Sequence, residues 1–410
     1  MFFPGLFRKS AEPMTSRDLS ELIGLSYDTY TGRQVSPQLA MQLTAVFSCV
    51  RVLAESVGML PCSLYEQRGR GNQRAVEERL HKLLSVKPNN YMTPQEFWEL
   101  LVACLCLRGN FYAYKVKALG EVVELLPLDP GSVVAKLNND WQPEYQVTFP
   151  NGDTATLTQA DIWHVRIFTL NGLTGLSPVA YARQAIGLGL ATEEHGSRLF
   201  GNGAVTSGVL QTSESLTDEA FNRLKTDFEA QHQGLANAHK PLILEMGLKW
   251  QQISLSAEDA QFLETRKFQL EEICRIFRVP LHMVQNTDRA TFNNIENLGI
   301  GFINYSLVPY LTRIEQRINA GLVRSHKQGR FYAKFNTGAL LRGDMKSRFE
   351  AYATGINWGI YSPNECRELE ELNPREGGDI YLTPMNMTTQ PEQSPKKEEE
   401  THADDDQTTA

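Results

Sequence analysis

The sequence predicts an α+β protein of more than one domain. Three observations predict it. Apolar residues recur at three- and four-residue steps from Leu39 to Val57, and a capping box at Thr93–Glu96 opens a second helix. The period drops to two between 111 and 167, and helical spacing returns after Ser177. A chain of 410 residues can bury two or three separate cores.

Each element follows from local chemistry. Residues 1–35 mix Gly, Pro, Ser and Thr without a period and are expected to form an N-terminal arm. Ser36-Pro37 opens a helix, with Ser as N-cap and Pro at the first helical position. Leu39, Leu43, Val46, Val50, Leu53 and Val57 give it one apolar stripe, and Pro61 stops it. Thr93-Pro94-Gln95-Glu96 is a capping box that starts a helix through Leu107, closed by Gly109. Between Phe111 and Ile167, alternating runs at 111–117, 122–126, 145–149 and 162–167 predict one antiparallel sheet. The turns Ala118-Leu119-Gly120 and Asn151-Gly152-Asp153 separate them.

Ser177-Pro178 begins a third helix that ends near Gly201. Thr217 caps a fourth through 233, with Leu216 and Phe221 spaced as a hydrophobic staple. Residues 240–245 and 248–255 predict two strands of a hairpin turning at Met246-Gly247. Ser256 and Asp259 start a fifth helix, striped by Leu263, Leu270, Ile273, Ile276 and Phe277. Residues 295–323 can form a helix of roughly 43 Å, with Pro309 expected to kink it. A strand at 330–336 and helices at 344–354 and 363–372 follow, the last capped by Ser362 and Glu365.

Charge sorts the partners. The formal charge is −8, which divides into −5 for the residues after Thr389 and −3 for the rest. A nearly neutral body lacks the basic excess of a protein that grips phosphates tightly. The residues from 386 on are polar, then acidic, and are expected to be disordered. The six cysteines include no CxxC pair and are expected to be reduced, buried thiols. The longest apolar run, Leu100–Leu107, is far short of the ~20 residues that cross a bilayer, so no membrane association is expected.

Catalytic patterns were sought by spacing. There is no GxxxxGK[ST] loop for a nucleotide and no HExxH for a metal. Gly201-Asn202-Gly203 follows a helix rather than a strand, as a C-terminal turn does. His164 lies beside Trp163 on an alternating strand, a position for a packed or hydrogen-bonded imidazole. No catalytic, cofactor-binding or metal-ligating residue is therefore expected, and no enzyme activity.

Several short motifs occur in a fixed order. They are Arg108-Gly109-Asn110-Phe111-Tyr112, Gly175-Leu176-Ser177-Pro178, Phe200-Gly201-Asn202-Gly203-Ala204 and Leu244-Glu245-Met246-Gly247. Val279-Pro280, Asn293-Asn294-Ile295-Glu296 and Asn364-Glu365-Cys366-Arg367 follow. Each is weak alone; together, from about Leu43 to Pro384, they closely resemble the portal proteins of tailed bacteriophages, in the HK97-like family. One departure is Phe292 where that pattern has Tyr, and both rings stack.

The resemblance implies a portal-type fold and a non-enzymatic role. It implies a dodecameric ring at one capsid vertex, assembled in the host cytoplasm, through which double-stranded DNA is packaged and ejected. The implied partners are further copies of the chain, the terminase large subunit, a head–tail adaptor, the major capsid protein, and DNA held weakly and without sequence preference. The implied parts are an α/β wing at 36–210, stem helices at 211–234 and 256–280, and a clip hairpin at 235–255. A tunnel-loop region at 281–294 and a long wing helix with crown helices at 295–385 complete them, ahead of the acidic tail 386–410. A non-portal ring protein, or a DNA-processing enzyme, is the alternative.

Two groups of residues carry the expected contacts. Trp250 and Ile253 are large for a short hairpin and serve either an interface or packing under the adjacent helices. Gln285, Asn286, Thr287, Asp288, Arg289, Thr291, Asn293 and Asn294 would face the DNA channel. Their amides and hydroxyls suit weak contacts with a moving phosphate backbone. Arg289 would either form a band of positive charge around the ring or pair with Asp288 or a neighbouring subunit's acid.

Overall fold

The computed structural model describes residues 27–69, 71–149, 151–201, 208–211, 217–219, 221–223, 226, 249–252, 256–284, 295–340, 345–370 and 372–382. The chain divides into two compact units, Met1–Leu341 and Arg342–Ala410.

The first unit opens with β1 (Tyr27–Asp28) and β2 (Gln34–Val35), a short antiparallel pair within the stretch expected to be a featureless arm. The helix expected from Ser36 onward is divided into α1 (Pro37–Ala40) and α2 (Thr44–Gly58). Ser36 caps α1 as its chemistry implies, Oγ accepting from the Leu39 N–H at 3.1 Å. The break comes at Leu43, whose backbone is extended (φ −73, ψ 117). That turn seats its side chain against Gly189, where a Cβ would stand 2.8 Å from Leu43 Cδ2. Packing here overrides a helical period that is continuous in sequence. The stripe survives the break: Leu43, Val46, Val50, Leu53 and Val57 are all buried.

Strands β3 (Cys62–Arg68) and β4 (Gly71–Arg74) follow, then α3 (Arg79–Ser85) and α4 (Pro94–Arg108). The capping box of α4 is present in both directions. Glu96 N–H donates to Thr93 Oγ1 at 3.3 Å, and Thr93 N–H donates to Glu96 Oε2 at 2.7 Å. The period-two region becomes β5 (Asn110–Ala118), β6 (Glu121–Leu128), β7 (Val133–Leu137), β8 (Pro143–Thr148), β9 (Thr154–Thr158) and β10 (Ile162–Arg166). It forms two antiparallel three-stranded sheets, ordered β10-β5-β6 and β7-β8-β9, rather than the one sheet expected. The β5–β6 turn is built by Leu119 (φ 53) and Gly120 (φ 76), the double left-handed geometry of a tight hairpin.

The helix opened by Ser177 is also divided, into α5 (Pro178–Tyr181) and α6 (Arg183–Gly201). Strand β11 (Gly208–Gln211) pairs antiparallel with β12 (Lys249–Gln252), bringing Leu210 opposite Trp250. Trp250 thus has a strand partner some forty residues upstream that the local hairpin pattern does not reveal. Residues 240–248, the other half of that hairpin, and Ile253 lie outside the described residues. Of the expected helix 217–233, residues 218–219, 221–223 and 226 are helical, and Phe221 is exposed; Leu216 lies outside the described residues.

Helix α7 (Ser256–Phe277) is followed, beyond the segment 285–294, by α8 (Ile295–Phe302), a π-helical turn at Ile303–Leu307, and α9 (Val308–Gly321). Pro309 therefore acts through a widened turn immediately before it. Val308 N–H reaches back to Ile303 O, one residue beyond the α-helical partner. The extra residue gives room to a ring that would clash with the carbonyl four residues back. Strand β13 (Phe331–Phe335) then pairs with β3, giving the sheet order β13-β3-β4.

One aromatic cluster sits where these elements meet. Phe97 lies 5.3 Å from Trp98, 5.6 Å from Phe111 and 6.4 Å from Trp163, centroid to centroid. Trp98 in turn meets Phe335 edge-on at 5.2 Å. Trp163 Nε1–H donates to Arg317 O at 2.9 Å, so the buried indole is satisfied while it ties β10 to α9.

The second unit holds α10 (Met345–Asn357) and α11 (Pro363–Leu369). The Ser362–Glu365 capping box is present in both directions. Asn364 closes the loop that follows, donating Nδ2–H to Arg375 O at 3.0 Å and accepting from Arg375 N–H at 2.8 Å.

Truncating Trp163 removes an indole from a filled core, together with the hydrogen bond it donates to Arg317 O. Trp163→Ala should destabilise the protein by about 3–5 kcal/mol. Urea unfolding followed by far-UV circular dichroism measures it; a loss below about 1 kcal/mol would contradict the central role given to the cluster.

Candidate functional site

Two motifs that lie 65 residues apart in sequence meet in space. Gly109 ends α4 in the left-handed region (φ 75). A Cβ on it would stand 2.2 Å from Leu176 O, and a Cβ on Gly175 would stand 2.1 Å from Gly109 O. Both positions therefore exclude a side chain, and at Gly109 the dihedral excludes one as well. The contact is completed by Ile167 N–H donating to Gly109 O at 3.0 Å. Ser177 does double duty, its Oγ–H donating to Leu107 O at 2.8 Å while Oγ caps α5 by accepting from Ala180 N–H at 3.2 Å.

Asn110 reads both motifs at once. Its Nδ2–H donates to Gly175 O at 2.9 Å and to Arg108 O at 3.1 Å, and its Oδ1 accepts from Gly175 N–H at 2.7 Å. The same Oδ1 lies 3.0 Å from His164 Nε2. Because Oδ1 is an acceptor, Nε2 carries the proton, and Nδ1 accepts from the Tyr145 hydroxyl at 3.4 Å. Tyr112 stacks on the imidazole at 4.4 Å. Burial, with Arg166 and Arg317 near, pushes the His164 imidazole down to about 3, so it is neutral at physiological pH. His164 is thus hydrogen-bonded and packed, as its strand position implies. Its partners Tyr145 and Asn110 had no local sequence signal, because they come from β8 and the start of β5.

The Val279-Pro280 motif closes α7. Arg278 takes a left-handed backbone (φ 57) unusual for a residue with a side chain, and Val279 N–H returns to Cys274 O at 2.9 Å. Ser306, inside the π turn, donates to Arg278 O at 2.5 Å. The chain entering segment 285–294 is therefore fastened to the helix that leaves it. Gln285, Asn286, Thr287, Asp288, Arg289, Thr291, Asn293 and Asn294 lie outside the described residues, as do Asn202–Ala204 and the 244–247 motif.

Among the described residues, no three His, Cys, Asp or Glu side chains come together as a metal site would require. Nor is any helix among them long and apolar enough to cross a membrane. The polar side chains of Asn110, Ser177 and Asn364 tie distant backbone together, and His164 braces Asn110 from the neighbouring strand.

The comparisons agree. Residues 44–371 match the family described as phage portal protein, and the chain belongs to that family. It is 33% identical to the portal protein of Enterobacteria phage HK97 over 355 residues, covering 85% of this chain and 83% of the other. Over 139 residues it is 73% identical to Protein BeeE of Escherichia coli strain K12, which covers 33% of this chain and 88% of that one. Among solved structures, it resembles a chain from the neck of the native gene transfer agent particle computed with C12 symmetry. The TM-score is 0.57 at 26% identity, over 82% of this chain and 93% of that one. The protein is accordingly a structural component of the portal class, not an enzyme.

The buried neutral imidazole has a measurable consequence. His164 binds its proton near pH 6.5 when unfolded and only near pH 3 when folded, so the unfolded chain takes up more protons between those values. Stability from this group is fully present above about pH 6.5 and is lost as the pH falls toward 3, at up to about 1.4 kcal/mol per pH unit. His164→Gln should flatten that acid slope, even if it lowers stability at pH 7.5. Urea titrations at several pH values would show an unchanged slope if His164 were not the titrating group.

Proposed function

We propose that the protein forms a dodecameric ring at the portal vertex of a capsid, and that double-stranded DNA enters and leaves through its centre. The family match over residues 44–371 carries this reading, and the likeness to a chain in a C12-symmetric neck supports the ring. In this reading the terminase large subunit docks on the ring during packaging, and the head–tail adaptor replaces it. The major capsid protein holds the rim.

The parts are assigned by the same reading. The wing is 36–210, the clip 235–255 between stem helices 211–234 and 256–280, and the tunnel loop 285–294. Helix α7 would serve as the second stem helix in this reading. The joint of Arg278 with Ser306 supports a loop whose two ends are held together while its centre faces the channel. A body of charge −3 suits a tube through which DNA slides, since many phosphate contacts would anchor it.

The ring itself is tested by negative-stain imaging of the purified protein, which should give twelvefold particles with a central hole. A monomer able to cleave DNA or hydrolyse ATP would favour the enzyme alternative. Arg289→Glu should leave ring assembly intact and shorten or destabilise the packaged genome. Packaged-DNA length in vivo, with assembly checked in parallel, decides: full-length packaging removes Arg289 from the mechanism, and failed assembly makes it a structural residue. Trp250→Ala should weaken ring assembly or adaptor docking by at least tenfold while changing the protomer's melting temperature little. An equal loss of protomer stability would assign Trp250 to internal packing.

A further inference from the structure

Two buried thiols face each other across the first unit. Cys49, on α2, and Cys274, on α7, are 225 residues apart, and their sulfurs lie 3.7 Å apart. Both are fully buried, at 0% and 2% exposure. The remaining four cysteines make no sulfur–sulfur contact of this kind among the described hydrogen bonds, and Cys106 instead faces the Tyr310 hydroxyl at 3.8 Å. A disulfide needs its sulfurs at about 2.05 Å, so side-chain rotation must close about 1.7 Å. Helices α2 and α7 already pack directly on each other, which makes that a local adjustment rather than a refolding step.

A route for a reagent lies beside the pair. A cleft of about 310 Å³ runs between α2, α6 and α7, and its walls include Ser48 and Ile273, the sequence neighbours of the two cysteines. Thr44, Gln269 and Arg266 make other parts of its lining polar. Cys274 is also one turn from the end of α7, where the chain turns through the left-handed Arg278. Local opening there exposes the thiol at lower cost than opening the helix centre.

We propose that Cys49 and Cys274 are a disulfide-forming pair, oxidised by small-molecule disulfides of the glutathione type. Cys274 gives up its proton to solvent, and its thiolate attacks one sulfur of the oxidant. The oxidant's S–S bond breaks, one thiolate leaves and takes up a proton, and a mixed disulfide remains on Cys274. Cys49 then loses its proton and attacks the Cys274 sulfur, expelling the second thiolate, which is protonated in turn. Two protein thiols are oxidised and one molecule of oxidant is reduced to two thiols. Cys274 attacks first because it lies one turn from the end of α7; either sulfur can donate across the contact, and with Cys49 as donor it holds Cys274 below an ordinary thiol. The same contact and burial hold Cys49 above one.

The pair stays reduced in a reducing cytoplasm and oxidises in an oxidising medium. The cross-link pins the second half of α7 to the first core helix. On the proposed reading of 285–294 as the tunnel loop, it fixes the base of that loop once a particle has left the cell. The chemistry does not depend on that reading.

The test uses the full-length assembled protein. It is incubated with glutathione disulfide, free thiols are trapped with N-ethylmaleimide, and the digest is mapped by mass spectrometry without reduction. The expected result is one linked peptide joining Cys49 to Cys274, lost on adding dithiothreitol, with the thermal midpoint raised by several degrees in the oxidised protein. Cys49→Ser and Cys274→Ser should each abolish the link and the shift. If either variant fails to fold, the wild-type peptide map decides alone. Both thiols recovered as maleimide adducts, under conditions where the same reagent oxidises the urea-unfolded chain, would overturn the proposal. So would a mixed disulfide that never resolves, or a link to a different cysteine.

Discussion

The close approach of the Gly109 and Gly175 backbones fixes much of the first unit. With no Cβ on either side, the end of α4 and the start of α5 meet at a distance that a side chain would forbid. That contact sets the direction in which β5 leaves α4, and β5 is the central strand of the β10-β5-β6 sheet. Asn110 converts the contact from mere proximity into a unique register, because three of its four hydrogen bonds here go to Gly175 or Arg108 backbone. His164 completes the fourth from the neighbouring strand. The aromatic cluster then packs on the opposite side of the same strand pair through Phe111 and Trp163. Polar and apolar faces of one two-stranded ribbon thus close two different parts of the molecule.

A second constraint acts at α7 and the helix after segment 285–294. Arg278 holds a backbone conformation that costs about 1 kcal/mol or more without glycine. Its carbonyl is met by Ser306, which reaches it from a π turn that Pro309 makes necessary. Two locally unfavourable features therefore support each other. Such pairs of irregularities are found where the direction of a chain matters more than the stability of a helix. Here they hold the chain on either side of residues 285–294.

Much of this was legible in the sequence, and the gaps have identifiable causes. Thr93 with Glu96 and Ser362 with Glu365 were readable because capping is local, complete within four residues. The strands at 110–118 and 162–166 were readable from their β-branched and aromatic residues between turn signals, although both faces are buried over 111–113 and 162–165. Strand β3 was hidden because Glu66 points inward with only 6% exposure, neutralised by Arg68 and Arg330, so its pattern reads as polar. Strand β7 was hidden because Val134 is exposed and its sheet is small, leaving no clean period. The breaks at Leu43 and Ala182 have no helix-breaking residue; tertiary packing makes them. The pairing of Trp250 with Leu210 is long-range, and no window of local sequence contains it.

The motifs that pointed to the family fasten one stretch of backbone to another. Arg108-Gly109-Asn110 and Gly175-Leu176-Ser177-Pro178 meet directly, through the two glycines and the hydrogen bonds of Asn110 and Ser177, beside an open cleft of about 520 Å³ that Arg108, Asn110, Gly175 and Ser177 help to line. Asn364 likewise turns its side-chain amide on Arg375 and Asp379 of its own unit, while its backbone N–H donates to Gly378 O. Residues used this way specify geometry, and geometry is what a ring needs, since a small error in each subunit accumulates around the circle. A closed ring multiplies every angular deviation by its number of subunits. The chemistry of a portal-class chain is therefore expected at its joints, in glycines that permit contact and amides that fix register.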